Sequence, residues 1–163
     1  VYTQSVSEII TSDGRRVVIR QLGASDSLAT PFGDEAYVAL LWAADATFSE
    51  VARMKVVHAL VDSGCRYIVC GGTNCERWHD EADLASVSLS TQSDSSRSEM
   101  PVVMTSWHDG ESIEEVVSFA ANCTNSDNHD FKNFLVLIVG EGSARLTCAE
   151  QVSRASQTTF DVQ

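Results

Sequence analysis

Hydrophobic positions divide the chain into strands and helices of an α/β protein. Ser5 to Ile10 and Arg15 to Leu22 are short β-prone runs flanking Ser12-Asp13-Gly14. Asp-Gly accepts the positive φ angles of a tight turn, so residues 1–22 are expected to form an N-terminal β-hairpin. Gly23 to Asp34, with Pro31 and Gly33, is expected as loop. The period then changes. Ala36 to Ala43 is an unbroken apolar run, the pattern of a strand buried on both faces of a parallel sheet. Thr47-Phe48-Ser49-Glu50 has capping-box spacing, and Val51, Met54, Val57 and Val61 recur at helical spacing up to Gly64. This predicts a helix over 47–63.

Tyr67 to Cys70 reads as the next strand, ended by Gly71-Gly72. Asn74 to Leu84 reads as a short helix, and the serine-rich stretch from Ser86 to Glu99 as a mobile loop. Pro101 to Ser106 is expected as a strand. Ser112-Ile113-Glu114-Glu115 is a second capping box, opening a helix with Ile113, Val116, Val117 and Ala120 inward. Asn122 to Asp130 is polar loop, and Phe134 to Val139 is the last strand. Residues 143–163 are weakly patterned and are expected as a poorly ordered tail or a short helix. Alternating strands and helices favour right-handed crossovers. The predicted fold is a single α/β domain: a mostly parallel sheet of about four strands with crossover helices over 36–140, plus the hairpin.

Composition narrows the function classes. The 163 residues carry 11 Lys+Arg against 23 Asp+Glu, a net charge of −12, which argues against a nucleic-acid-binding surface. The longest apolar run, Phe134 to Val139, is far short of a membrane span, so no membrane partner is expected. The first residues lack the basic-then-apolar pattern of a signal peptide, and the five cysteines form no even disulfide framework. A cytoplasmic location is the resulting expectation. Cys65, Cys70 and Cys75 recur every five residues, unlike a zinc knuckle; no metal and no cofactor is expected.

Candidate chemistry gathers where ligands usually sit, at the carboxyl ends of the strands. Two Trp-His-Asp triplets, 78–80 and 107–109, map there, together with Cys75. One reading makes Cys75 a nucleophile with a lowered pKa at a helix N-terminus, His108 its base and Asp109 or Asp80 the orienting carboxylate of a small hydrolase or transferase. The plainer reading makes the same residues helix caps and packing groups. The charge pattern favours a third. Between Asn74 and Asp130 there are 12 Asp+Glu and two Arg, so −10 of the −12 lies in this segment. Such a face suits a basic protein partner. Asp80, Glu81, Asp83, Asp109, Glu111 and Glu114 would supply the charge, and Trp78 and Trp107 the apolar anchors. An acidic inhibitor of immunity type, neutralising a basic toxin or nuclease domain, is therefore the leading expectation.

The segments Asp62-Ser63-Gly64-Cys65-Arg66-Tyr67, Gly72-x-x-Cys75-x-x-Trp78-x-Asp80 and Val103-Met104-Thr105-Ser106-Trp107-His108-Asp109-x-Glu111 resemble those of an uncharacterised bacterial α/β domain family. The resemblance spans about residues 36–140 and implies a small α/β domain without an established activity. Cys75, Trp78, Asp80, Asp83, Trp107, His108 and Asp109 are the matching positions. Gly71 stands where the similar sequences carry tryptophan, and His79 where they commonly carry an acidic residue. In general character the chain is also similar to toxin-immunity proteins.

Overall fold

The computed structural model describes residues 6–92, 102–125 and 130–161. Ten elements follow in order: β1 (Val6–Ile10), β2 (Arg16–Leu22), β3 (Tyr37–Ala43), α1 (Glu50–Asp62), β4 (Cys65–Gly72), α2 (Cys75–Gln92), β5 (Met104–His108), α3 (Ile113–Asn122), β6 (Asn133–Val139) and α4 (Gly142–Asp161). The strands form one sheet in the order β1-β2-β6-β3-β4-β5. β1 is antiparallel to β2, and every other pair is parallel. The α/β class and the hairpin are as expected, but the sheet has six strands rather than about four. The reason is that β2 does not stop at its hairpin partner: its other edge pairs in parallel with β6, from Arg16↔Asn133 to Leu22↔Val139.

All seven residues of β3 are buried, because the sheet is covered on both faces. One face packs against α1 and α2 through Val57, Leu60, Trp78, Ala82 and Ala85; the other packs against α3 and α4 through Val116, Val117, Val152 and Phe160. Strand order reverses at β3, since β4 and β5 follow on one side while β6 returns to the other. No described helix is long and apolar enough to cross a membrane.

Helix boundaries follow local chemistry. Ser112 and Glu115 form the predicted capping box of α3, with its four inward residues buried. The first helix starts later than predicted. Ser49, not Thr47, is its N-cap, bonding the Ala52 amide, while the Thr47 hydroxyl turns to Asp45. Val51 and Met54 face outward; Val56, Val57, Leu60 and Val61 are the core stripe.

Two helices run longer than expected for one physical reason. α2 runs through Ser86 to Gln92, where a loop was expected; residues 93–99 of that stretch, like 126–129 of the expected polar loop, lie outside the described residues. α4 is a 20-residue helix where a poorly ordered tail or a short helix was expected. Both bury small residues, Ala82 and Ala85 in α2 and Ala149, Ala155 and Ser156 in α4, so their apolar stripe has little contrast in sequence. The strand expected at 101–106 is shifted to Met104–His108, because Trp107 and His108 pair with Cys70 and Gly71.

At the end of β4 the backbone requires glycine. Gly72 has φ +82°, and a Cβ there would lie 2.3 Å from the Ala43 carbonyl oxygen. Gly72→Ala is expected to destabilise the protein by at least about 2 kcal/mol in urea unfolding, because left-handed strain and a backbone clash add. A second prediction concerns pH. Burial pushes the Cys65 thiol up to about 12 and also raises the Cys70 thiol and the Tyr37 phenol. The folded state holds these protons more tightly than the unfolded chain. Their contribution is therefore complete below the ordinary thiol value of 9.0 and is lost as pH rises toward the folded values. The urea midpoint is expected to stay level to about pH 8.5 and fall above about pH 9.

Candidate functional site

The carboxyl ends of the strands hold two distinct groups of polar side chains. The first lies at the reversal of strand order, where β2, β3 and β6 end. Asp45 accepts hydrogen bonds from the Thr47 amide at 3.0 Å and the Glu141 amide at 2.9 Å. Glu141 in turn accepts from the Ala24 amide, and Asp26 from the Gly23 amide, each at 2.7 Å. Burial opposes the charged form of Asp45, but the Thr47 hydroxyl, the two amides and nearby Arg145 outweigh it and hold its carboxyl below the ordinary range. Asp45 and Glu141 tie loop to loop, while Asp26 closes a turn within its own loop.

The second group surrounds β5, the edge strand. Alternation along a strand sends neighbouring side chains to opposite faces. Thr105 and Trp107 pair with Ile68 and Cys70, on the face covered by α1 and α2. Ser106 pairs with Val69, on the face covered by α3 and α4, and His108 shares it. Each face carries one histidine. On the α2 side, His79 packs on Trp107 with ring centroids 4.4 Å apart, lies 3.3 Å from Asp80 and 3.5 Å from Asp83, and Asp83 accepts a hydrogen bond from Thr105. On the α3 side, the His108 ring lies 4.4 Å from the Phe119 ring. Its Nε2 is 3.1 Å from Ser106 Oγ, and its Nδ1 bonds Glu111.

The two Trp-His-Asp triplets thus meet, but crosswise: Trp107 of one contacts His79 of the other. His79 and His108 are separated by the sheet itself. Among the described residues, no three His, Cys, Asp or Glu side chains gather as metal ligands.

Two expected surface residues are structural. Trp78 is only 2% exposed and packs on Phe48 with centroids 5.4 Å apart, so it is a core residue and not an exposed anchor. The cause is helical spacing, since Cys75, Trp78, Ala82 and Ala85 form the inward stripe of α2. Glu81 is buried too. It receives Arg53 Nε at 2.7 Å, and Arg53 also bonds the Phe48 carbonyl, which fastens α1 to α2. Its charge is spent inside the protein. Asp80, Asp83, Trp107, Asp109, Glu111 and Glu114 are exposed.

Cys75 does begin α2, beside the His108 backbone amide, but it is buried and its thiol pKa is raised, first by burial, with Asp109 nearby adding to it. The alternative enzymatic reading needed a nucleophile with a lowered pKa; here desolvation outweighs the helix terminus. Sequence reasoning also missed Ser106 as the partner of His108. The signal was present in the spacing Ser106-x-His108-x-x-Glu111, because a period of two places the serine and histidine on one strand face.

The chain belongs to the family described as Domain of unknown function (DUF7684), whose profile matches residues 17–155, from β2 into α4 and therefore across the β5 edge. No curated protein matches the sequence.

The thiols offer a direct check. Cys123 is exposed, whereas Cys65, Cys70 and Cys75 are buried. In native protein at about pH 7.5, iodoacetamide is expected to alkylate Cys123 first and leave Cys75 protected until unfolding. Peptide mapping that found Cys75 modified ahead of Cys123 would restore it as a nucleophile.

Proposed function

We propose that this protein is an acidic protein-binding module, of the immunity-inhibitor kind, that docks a basic partner protein against its β5 edge. One observation carries the reading. An edge strand bears an exposed Trp107, 48% accessible, and the surrounding side chains are carboxylates: Asp80 and Asp83 from α2, then Asp109, Glu111 and Glu114. An aromatic anchor within a charged rim is the usual composition of a binding hot spot.

Physical chemistry selects the partner's character. Edge strands offer unpaired backbone groups to an incoming segment, and proteins commonly protect them with lysine or proline. Met104–His108 contains neither. The surrounding negative charge serves that protective role here against other copies of this chain, which carry the same net charge of −12. The same charge attracts a basic protein, speeds its approach and makes the encounter salt-sensitive. A nuclease toxin domain, basic because it must hold phosphates, has that character.

The test titrates the basic proteins encoded beside this gene by calorimetry at about 50 mM and about 300 mM salt, on either side of the ionic strength of about 0.1 M at which the Debye length is about 10 Å. One of them is expected to bind, with affinity falling about tenfold or more at the higher salt. Asp80→Lys with Asp83→Lys is expected to weaken it by a similar factor, and Trp107→Ala by about thirtyfold. Absence of binding by every such neighbour, or affinity indifferent to the charge reversals, overturns the reading.

A further inference from the structure

The α3-side face of β5 carries a second arrangement, which shares only Glu111 with the proposed docking surface. We propose that Ser106, His108 and Glu111 form a nucleophile–base relay that hydrolyses small neutral or cationic carboxylic esters. The order of contacts is that of a serine hydrolase: hydroxyl to Nε2, Nδ1 to carboxylate. Glu111 accepts the Nδ1 proton and so fixes the tautomer in which Nε2 presents its lone pair to Ser106 Oγ, 3.1 Å away. Phe119 packs against the imidazole and holds its plane. The histidine side chain is 10% exposed, which shields the base, while Ser106 is half-buried and reachable. Phe119 of α3 covers the imidazole, while the hydroxyl beside it stays partly exposed.

The chemistry balances with water alone. Ser106 Oγ attacks the acyl carbon as its proton passes to His108 Nε2. The tetrahedral adduct collapses, the bond to the alcohol breaks, and the departing oxygen takes that proton. Water then attacks the acyl-serine, gives a proton to Nε2, and the acid leaves as Ser106 recovers its hydrogen. Ser106 is the nucleophile and His108 the base; Glu111 is a positioning residue. β5 is the last strand on its side of the sheet, and an amide of that edge, other than the His108 amide that bonds the Cys75 thiol, is the donor to the developing oxyanion. Exposed Asp109, Glu111 and Glu114 repel anionic substrates, which removes phosphorylated acyl carriers from the class and leaves neutral or cationic esters.

The full chain is treated with a fluorophosphonate probe and assayed with acetylthiocholine, p-nitrophenyl acetate and the anionic p-nitrophenyl hemisuccinate. Peptide mapping is expected to place the label on Ser106, with none in Ser106→Ala, and His108→Ala is expected to slow labelling about 100-fold. Acetylthiocholine and the neutral ester are hydrolysed, and the anionic ester is at least about tenfold slower. Glu111→Gln is expected to lower kcat about tenfold or more with KM unchanged, a split that a purely structural role would not produce. If His108→Ala fails to fold, Ser106→Ala and Glu111→Gln decide. Absence of labelling, label on another serine, or hydrolysis that survives Ser106→Ala overturns the proposal. Each of these results leaves partner docking untouched, because docking does not need the Ser106 hydroxyl.

Discussion

The architecture depends on keeping β3 dry on both faces. All seven of its residues are buried, and its polar backbone is satisfied by parallel ladders to β4 and β6. A strand of that kind is stable only beneath two helix layers, and right-handed crossovers then dictate where each helix goes. α1 and α2 accompany the steps from β3 to β4 to β5 on one face; α3 carries the chain back across the other face to β6. Burial on that scale leaves little room for charge. Where a charged pair does enter, as with Arg53 and Glu81 between α1 and α2, each ion is matched by the other, since an unmatched one would cost several kcal/mol.

The same constraint concentrates chemistry at the rim. Central strands are closed off by neighbours and helices, and the loops at the reversal of strand order are bound to one another through Asp45 and Glu141. Among the described residues, only the β5 edge combines a less covered strand with histidines, an exposed tryptophan and carboxylates that are not consumed by capping. Its two faces differ in kind. The α2 side, with Trp107, Asp80 and Asp83, is broad and acidic, as suits a partner surface. The α3 side confines one imidazole between a hydroxyl, a carboxylate and a phenyl ring, as suits proton transfer. The proposed partner surface and the proposed ester site would lie on opposite sides of one strand, sharing only the Glu111 carboxylate at their boundary.

Much of the fold and part of the site were legible in the residues themselves. The unbroken run at Ala36–Ala43 announced a strand buried on both faces, Phe134–Val139 announced the last strand, and the Ser112–Glu115 capping box located α3. These signals are local: they depend on side-chain period and on hydrogen bonds within four residues. The acidic surface between Asn74 and Asp130 was likewise visible as composition. Helices α2 and α4 were only partly visible, because alanine and serine in their inward stripes flatten the contrast from which a helix is recognised.

Sequence by itself determined the class of the fold, the acidic character of one half and the residue types available at the strand ends, since each follows from local pattern or from counting. Tertiary structure alone decided which of those residues act together. Pairing of β2 with β6 joined both hairpin strands to the sheet, through a parallel ladder that the hairpin pattern did not foretell. The inward stripe of α2 took Trp78 and Glu81 out of the surface, and burial beside the His108 backbone raised the Cys75 thiol instead of activating it. The pleat of β5 set His79 and His108 on opposite faces and joined His108 to Ser106. Partnership of this kind depends on strand register and helix rotation. Those are set by the lowest-energy packing of the whole chain, which residue spacing alone does not encode.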